Sequence, residues 1–319
     1  MIADALPADW TFDPGRVLIT GANGQLGQRL LASLYGRVPL RALVRSERAA
    51  ATLRTLAETL AQRAPEVTSP IEVMVGAYDD PEVLARACTG CRAAVHLVGI
   101  IKESKSNTFE QAHVATTRTL LEAAQAIPLE RCVYLSIVGA APGHANPCLA
   151  TKGEAESLLL ASSVPATVFQ VPMVLGEGDY ASAALRARAL AKRSFVFRAA
   201  SLEQPIYAGD VVRATAQALT DADGETRRLA LPGPESLSRR ALTARAGVVL
   251  GTQPRVTSLP IALGMAMAGL FETFSSTPPV TRAMLGVLDH DDASDDRAAR
   301  DYLRFERTGL DEMLRLVLA

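Results

Sequence analysis

The stretch VLITGANGQLG, from Val17 to Gly27, decides the fold. Its first four residues carry no charge and predict a buried strand, and helical spacing over residues 24–34 predicts a helix soon afterwards. Between them, Gly21, Gly24 and Gly27 allow a tight turn and a close approach of the backbone to a pyrophosphate. The free N–H groups at the helix N-terminus then bind that anion. The stretch therefore predicts the opening strand, turn and helix of a dinucleotide-binding fold.

The same alternation of apolar strands and helices continues through the first half of the chain. Further strands are predicted at residues 40–44, 71–75, 93–98, 132–137 and 167–171. Helices are predicted at residues 48–64, 81–87, 116–126 and 152–161. Buried strands separated by helices are typical of a parallel sheet with helices on both faces. We therefore predict an α/β fold of the doubly wound, Rossmann type over residues 16–175.

The alternation weakens after residue 175. Helices are predicted at residues 181–192, 211–220 and 238–250 and from Pro260 onward, with one strand at residues 228–231. These elements predict a smaller, mostly helical C-terminal lobe for a substrate or partner at residues 176–319, interleaved with the end of the main sheet. Residues 1–15 are predicted to be an N-terminal extension outside the fold.

Composition excludes several classes of protein. Lys and Arg number 33 against 34 Asp and Glu, so no overall basic charge is present to hold nucleic acid. Four cysteines in 319 residues do not form a disulfide framework, which favours a reducing, cytoplasmic location. Cys88 and Cys91 form a C-x-x-C pair at a predicted helix C-terminus, where the helix dipole does not activate a thiol. We predict neither a redox nor a metal site.

An uncharged run between Arg255 and Glu272 is shorter than the ~18–20 residues that span a bilayer. It predicts a buried helix starting near Pro260. The alternative is a helix that docks on a membrane surface or a membrane complex, which would place the protein at the inner face of a membrane.

The end of the second predicted strand bears on the choice of cofactor. Sites that bind NAD usually place an acidic residue here, whereas this strand ends in Arg45, with Arg48 nearby. An arginine fork accommodates the 2′-phosphate of NADP. The sequence therefore favours NADP(H) over NAD(H).

These motifs resemble the atypical, extended-type short-chain dehydrogenase/reductases, a group with NmrA-like and epimerase-like members. After the third strand, VGAYDDPEVLARACTG is similar to the family's adenine-side segment, with Ala77 and Tyr78 where Asp and Leu are usual. The stretch HLVGI from His96, the pair Phe109 and His113, and the tail PPVTR resemble the branch of the nucleotide-binding accessory subunit of respiratory complex I.

The resemblance implies an active site of Ser after strand five and a Tyr-x-x-x-Lys pair. Ser136 and Lys152 match the Ser and Lys, but Cys148 stands at the tyrosine position. On the sixth strand, Gln170 replaces an arginine. The turn and the resemblance together imply these cofactor-binding residues: Gly21, Asn23, Gly24, Gln25, Leu26, Gly27, Arg45, Ala77, Tyr78, Leu97, Val98, Gly99, Ser136, Lys152, Pro172 and Val174.

Two functions follow from this site. Because the tyrosine phenol is missing, the first function is that of an NADP(H)-binding protein with an accessory, assembly or redox-sensing role. In this protein Cys148 is a packing residue and takes no part in chemistry. The second is an NADPH-dependent oxidoreductase acting on an apolar carbonyl or enone, with its proton supplied by Tyr207, Tyr180 or solvent.

Overall fold

The structure is a computed structural model that describes residue 6 and residues 15–221, 223–274, 278, 280–287, 289, 291–292 and 294–319. Its main sheet has seven strands: β1 Arg16–Thr20, β2 Leu40–Val44, β3 Glu72–Val75, β4 Cys91–His96, β5 Arg131–Ile137, β6 Ala166–Val171 and β11 Arg227–Ala230. The strands run parallel in the order β11-β6-β5-β4-β1-β2-β3. This is the order of a doubly wound sheet, so the predicted fold is confirmed.

Helices cover both faces of the sheet. Those of the first half are α1 Gln25–Leu34, α2 Glu47–Arg63, α3 Pro81–Cys88, α4 Thr116–Ala126 and α5 Pro147–Leu160. A π-helical turn, Glu110–Ala115, leads directly into α4. Strands β1 and β2 are almost wholly apolar and buried, as expected for central strands of a parallel sheet.

The predicted start of α5 at Lys152 is wrong. The helix begins five residues earlier, at Pro147, because Asn146 caps it. The Asn146 Oδ1 atom accepts hydrogen bonds from the backbone N–H groups of Cys148 and Leu149, at 2.9 and 3.4 Å. Proline at the first helical position adds to this start signal. The correction places both Cys148 and Lys152 on the first two turns of one helix.

The second half of the chain adds short strands and helices. The strands are β7 Val174–Leu175, β8 Arg193–Phe197, β9 Leu202–Glu203, β10 Ile206–Tyr207, β12 Leu237–Ser238 and β13 Arg255–Leu259. The helices are α6 Tyr180–Leu190, α7 Ala208–Leu219, α8 Arg239–Val249, α9 Ile261–Phe274, α10 Arg282–Val287, α11 Arg297–Tyr302 and α12 Leu310–Leu318. The parallel pair of β8 and β13, and the helices α10 and α12, were not predicted.

The helix predicted near Pro260 is α9, but it is only partly buried. Its small residues Gly264 and Ala268 are buried, whereas Leu270 is 60% exposed and Phe274 84% exposed. Among the described residues, no helix has both the length and the hydropathy needed to cross a membrane.

Side chains of α7 and β11 pack in the same core as those of β1 and α1. The C-terminal part therefore shares a core with the dinucleotide-binding part, and the division at residue 175 stays a prediction. Most of the predicted N-terminal extension lies outside the described residues. Within it, Leu6 is buried in that core, and its carbonyl oxygen accepts a hydrogen bond from Arg37.

Candidate functional site

The glycine turn lies between β1 and α1, as predicted. Gly21 has a φ of +70°, and a Cβ atom there would come within 2.9 Å of the Leu97 carbonyl carbon. A Cβ atom on Gly27 would lie 2.5 Å from the Ala22 carbonyl oxygen, so only glycine fits. Gly24 is exposed at the N-terminus of α1, with no side-chain cap on the helix. The first N–H groups of α1 are thus open to an anion.

The other predicted residues of this turn surround the N-terminus of α1. Asn23 and Gln25 are exposed, whereas Leu26 is half-buried against the core. The side-chain amide of Gln28 donates to the Asn23 carbonyl oxygen at 2.8 Å. The turn is therefore held by α1 itself, and its outer surface stays open.

Arg45 lies at the end of β2, where a ribose phosphate would lie in a Rossmann fold. Its side chain is exposed, and the guanidinium carbon sits 5.9 Å from the centre of the Tyr78 ring. Tyr78 itself is buried, and its hydroxyl donates to the Leu43 carbonyl oxygen at 3.3 Å. Ala77, one residue before, is exposed. The Tyr78 ring therefore packs against the Arg45 guanidinium, and the Tyr78 hydroxyl connects the segment after β3 to the end of β2.

The loop after β4 contains Leu97, Val98 and Gly99. The Leu97 N–H donates to the Thr20 carbonyl oxygen at 3.1 Å, which ties the loop to the end of β1. Val98 is buried, whereas Gly99 is exposed. A Cβ atom on Gly99 would lie 3.0 Å from the Nζ atom of Lys152. The loop and the lysine therefore lie against each other, as the predicted cofactor site requires.

His113 fastens this loop to α5. The Ile100 N–H donates to its Nε2 atom at 3.1 Å, and its Nδ1 atom lies 2.8 Å from the Thr151 hydroxyl. Burial, joined by the positive charge of Lys152, lowers the pKa of His113 to about 3, so the ring is neutral at pH 7. A neutral imidazole can accept a hydrogen bond from the Ile100 N–H with one ring nitrogen and form a hydrogen bond with the Thr151 hydroxyl through the other. His113 is a positioning residue between loop and helix.

Lys152 is buried at the centre of the site. Its Nζ atom donates to the Leu135 carbonyl oxygen at 3.0 Å and lies 4.5 Å from the centre of the Tyr134 ring. Burial lowers the pKa of Lys152 to about 8, although the negative charge of the Cys148 thiolate or of Glu156 would raise it. Such an ammonium is charged at pH 7 yet gives up its proton more readily than a surface lysine.

Ser136 is also buried, directly after Leu135 on β5, and lies opposite Gln170 on β6. The Gln170 amide donates to both carboxylate oxygens of Glu156, at 2.9 and 3.0 Å. Burial raises the pKa of Glu156 above its ordinary value. Gln170, which replaces the family's arginine, therefore holds the carboxyl group that lies one turn after Lys152.

Cys148, for which the resemblance implies a tyrosine position, has a completely buried side chain. The Sγ atom donates to the Ile100 carbonyl oxygen at 3.6 Å. Burial raises the pKa of the Cys148 thiol to about 11, although the positive charge of Lys152 lowers it. The thiol is therefore neutral at pH 7 and faces the protein interior.

The two tyrosines expected as alternative proton donors lie in different surroundings. Tyr180 is 86% exposed at the start of α6. Tyr207 is buried, and its hydroxyl donates to the Glu177 carboxylate at 2.7 Å. The same carboxylate pairs with Arg29 of α1, also at 2.7 Å.

This arginine–glutamate–tyrosine contact was missed from the sequence. Burial opposes the charge of Glu177, but the hydrogen bonds from Tyr207 and Arg29 lower its pKa. The contact links α1 to the loop after β7, beside the predicted nicotinamide residues Pro172, which is buried, and Val174, which is half-buried. An arginine on the apolar face of α1 was the available signal.

A cavity of about 560 Å³ adjoins the N-terminus of α5, and a second of about 340 Å³ shares part of its lining. They share walls from the loop after β4 and from the C-terminal helices. The shared residues are Glu103, Phe109, Glu272 and Ala283. Asn146 lines the larger cavity, and its side-chain amide donates to the Ala283 carbonyl oxygen of α10 at 2.8 Å. The larger cavity therefore lies between the start of α5, the loop after β4 and the C-terminal helices.

Curated proteins that are similar to this chain include the following two. One is the 4-hydroxy-2-methyl-3-oxo-4-farnesyl-3,4-dihydroquinoline-1-oxide ketoreductase of Stigmatella aurantiaca, at 30% identity over 47% of this chain and 46% of that protein. The other is the ceramide reductase of Caulobacter vibrioides, at 28% identity over 83% of this chain and 81% of that protein. The chain thus spans less than half the length of the ketoreductase but most of the ceramide reductase.

Among solved structures, the triphenylmethane reductase of Citrobacter sp. in complex with NADP(H) has a TM-score of 0.71 at 19% identity. The match covers 94% of this chain and 99% of that chain. These similarities do not bear on the resemblance to the complex I accessory subunit, which stays a prediction. A family model described as NAD(P)H-binding matches residues 21–221, which is more than half of the chain. The chain therefore belongs to this NAD(P)H-binding family of Rossmann-fold proteins.

Proposed function

We propose that the protein is an NADPH-dependent reductase that acts on a carbonyl or enone group of an apolar substrate. Two of its curated relatives are named as reductases, one of a farnesyl-bearing ketone and one of ceramide. The observation that carries the proposal is the placement of the buried Lys152 against Gly99, at the carboxyl ends of β4 and β5 where a parallel sheet binds its ligand. An enzymatic site of this kind needs a fixed cation and a proton source.

NADPH, when bound, supplies a hydride to the substrate and is oxidised to NADP⁺. The turn of Gly21, Gly24 and Gly27 receives the pyrophosphate, and Lys152 donates to the nicotinamide ribose. Reduction of a carbonyl leaves an oxyanion that must take up a proton. Because the Cys148 thiol has a pKa of about 11, it is a weaker acid than the Lys152 ammonium, whose pKa of about 8 suits proton donation near neutral pH, so the donor in this proposal is Lys152. Lys152 then takes up a proton from solvent.

NADPH is the proposed cofactor rather than NADH. Arg45 is exposed at the end of β2 and stands over a fixed aromatic ring, so its guanidinium can meet a 2′-phosphate without displacing a partner residue. A carboxylate at this position would instead have repelled the phosphate.

NADPH oxidation tests the proposal. The full chain is mixed with NADPH and a panel of ketones and enones of increasing alkyl length, with the Lys152→Met variant alongside. We expect oxidation that depends on the substrate in the native protein and is lost in the variant. No oxidation above background with any member of the panel, in protein that binds NADPH, would refute the reductase function.

The second candidate is a binding role without turnover, in assembly, as an accessory subunit, or in sensing the redox state. The buried Cys148 favours this binding role, because no phenol is present at the position where the resemblance implies a tyrosine. The panel separates the two functions: a binding protein retains NADPH affinity but oxidises none of the panel. The proposed partners are a nicotinamide dinucleotide and a membrane or membrane complex, and the proposed location is the cytoplasm, at the inner face of a membrane.

A further inference from the structure

Three polar side chains form a row across neighbouring strands of the main sheet. Thr20 of β1 lies opposite His96 of β4, and His96 lies opposite Tyr134 of β5. Side chains that are in register on adjacent strands project from the same face of a sheet, and this row is on the face that α4 and α5 cover. Thr20 and His96 are the last residues of their strands, so the row lies at the edge of the sheet where the cofactor is expected to bind.

Hydrogen bonds fix the His96 ring in one tautomer. The Thr116 hydroxyl donates to the Ala112 carbonyl oxygen at 2.9 Å, so it accepts from the Nε2 atom of His96, which lies 3.3 Å away. The Nδ1 atom then accepts from the Thr20 hydroxyl at 2.7 Å. Burial, joined by the positive charge of Lys152, lowers the pKa of His96 to about 3, so the ring is neutral at pH 7. The imidazole is therefore held between β1 and α4.

The Tyr134 ring stacks on this imidazole. The centres of the Tyr134 and His96 rings are 5.7 Å apart, and the ring planes differ by 20°. The Tyr134 side chain is completely buried, and burial raises the pKa of its phenol well above the ordinary value, so the ring is uncharged. The Nζ atom of Lys152 lies 4.5 Å from the centre of the Tyr134 ring, inside the ~6 Å range of a cation–π contact. The stack therefore keeps the ring in contact with the buried ammonium.

Few other contacts compensate the charge of Lys152. The Leu135 carbonyl oxygen accepts a hydrogen bond from one N–H group of the ammonium. In the part of the chain that the structure describes, no carboxylate lies within ion-pair distance of Nζ, and Glu156 contacts Gln170 and Arg228 instead. A buried ammonium without a carboxylate partner loses its proton easily unless other groups favour the charged form. The face of an aromatic ring is such a group.

We propose that Tyr134 is a positioning residue for Lys152: its ring, fixed by stacking on His96, holds the lysine ammonium at the cofactor site in its charged form. The Cys148 thiol and the His113 ring, which also act on the lysine, are both neutral at pH 7. The use of the positioned ammonium as a proton donor rests on the proposed reductase function. The contact between ring and ammonium does not.

NMR titration of Lys152 tests the proposal. The chain has four lysines, so protein labelled with ¹³C at the lysine Cε atom gives few signals, and Lys152→Met identifies the one that belongs to Lys152. Tyr134→Phe retains the ring and should leave the titration midpoint of Lys152 unchanged. Tyr134→Leu should lower the midpoint by about 0.5–1.5 pH units, which is the size of a desolvated cation–π contact.

Phe169→Leu is the matched control. Phe169 is also completely buried in the main sheet, but it packs in the core on the opposite face. Its replacement by leucine removes a buried ring of similar size and should leave the midpoint of Lys152 at the native value. A midpoint that falls equally in Phe169→Leu and Tyr134→Leu would overturn the proposal, since loosened packing would then be the cause.

Fluorinated phenylalanines introduced at position 134 separate electrostatics from packing, and they supply the test even where Tyr134→Leu does not fold. Fluorine withdraws electron density from the ring face while the ring keeps nearly the same size. The midpoint of Lys152 should therefore fall stepwise from the unsubstituted to the monofluorinated and trifluorinated ring. A midpoint that stays constant along this series would overturn the proposal.

The pH profile of the reductase gives a second readout. Because the protonated lysine is the proposed donor, kcat should decline as the pH rises, and this decline should move to lower pH in Tyr134→Leu by the same amount as the NMR midpoint. A decline that stays at the native pH would overturn the positioning role. The titration is measured without a substrate, so its outcome is independent of whether the reductase panel succeeds.

Discussion

Cys148 directs its thiol toward the carbonyl oxygen of Ile100, with the Sγ atom 3.6 Å from the oxygen. Cys148 lies in the first turn of α5, and Ile100 follows the predicted cofactor-binding residues Leu97, Val98 and Gly99 in the loop after β4. The Cys148 side chain is completely buried, and its thiol, with a pKa of about 11, stays protonated at pH 7. In the proposed reductase the proton therefore comes from Lys152, whose pKa is lower.

Replacing Cys148 with alanine tests whether the thiol takes part in chemistry. Because the side chain is buried and neutral, we expect Cys148→Ala to leave NADPH affinity and any reductase rate within about twofold, and to cost roughly 1 kcal/mol of stability. Calorimetric titration and NADPH oxidation measure these quantities. A reductase rate that vanishes while folding and NADPH binding persist would show that the thiol is catalytic.

Arg45→Ala should separate the two nicotinamide dinucleotides. Loss of a charge-assisted contact to the 2′-phosphate costs on the order of 1.5–3 kcal/mol, so NADPH affinity should fall by about 10- to 100-fold while NADH affinity hardly changes. Arg54→Ala, which removes an exposed arginine of α2 paired with Glu47, is the matched control. Equal losses for both dinucleotides in a titration would refute the NADP assignment.

The glycines of the turn should respond differently to alanine. A Cβ atom on Gly24 would meet only the Gly21 carbonyl oxygen, at 3.4 Å, so Gly24→Ala should fold yet bind NADPH at least about tenfold more weakly. In Gly27→Ala the Cβ atom would clash with the Ala22 backbone, which costs about 1–3 kcal/mol of stability. Thermal unfolding and titration check the pair. Equal stability of the two variants would contradict the geometry.

The buried Lys152 predicts a pH-dependent stability. The pKa of Lys152 is about 8 in the folded protein and 10.5 ordinarily. Between these two pH values the unfolded chain binds more protons than the folded protein does. The free energy of unfolding therefore increases as the pH rises. Lys152→Met removes this gain. We expect the unfolding free energy of the native protein to rise relative to the variant by about 2–3 kcal/mol from pH 7 to pH 10.

Denaturant unfolding at several pH values measures that difference. Lys105→Met, at an exposed position, shows the effect of losing a lysine from the surface. A difference between native protein and Lys152→Met that stays constant from pH 7 to pH 10 would mean that Lys152 is not desolvated as the structure has it.

Local patterns explain how much of the fold could be predicted. The order of strands and helices up to β6 follows from apolar runs and glycines that lie close together in the sequence, and the glycine turn needs no distant residue. The start of α5 depends on the Asn146 cap and on Pro147 at the first helical position, which lie before the apolar run that predicted the helix. The two-residue strands of the second half are too short to leave a periodic pattern.

The site could be predicted only where its residues follow a motif. Lys152 and Gly99, both predicted from motifs to bind the cofactor, lie close together, whereas the pairing of Arg29 with Glu177 joins residues 148 positions apart and depends on how the two halves pack. The burial of Cys148 is likewise a property of the assembled fold, since Ile100 lies on another element. The sequence near each of these residues contains no pattern that predicts such contacts.

Transfer of deuterium from labelled NADPH tests the central claim most directly. The native protein is incubated with NADPH deuterated at C4 of the nicotinamide and with a long-chain ketone or enone dispersed in vesicles, and the product is examined by mass spectrometry. A reductase places one deuterium on the product carbon for each NADPH consumed. Bound NADPH that never delivers deuterium to any substrate in the panel would contradict the account and leave a binding role in its place.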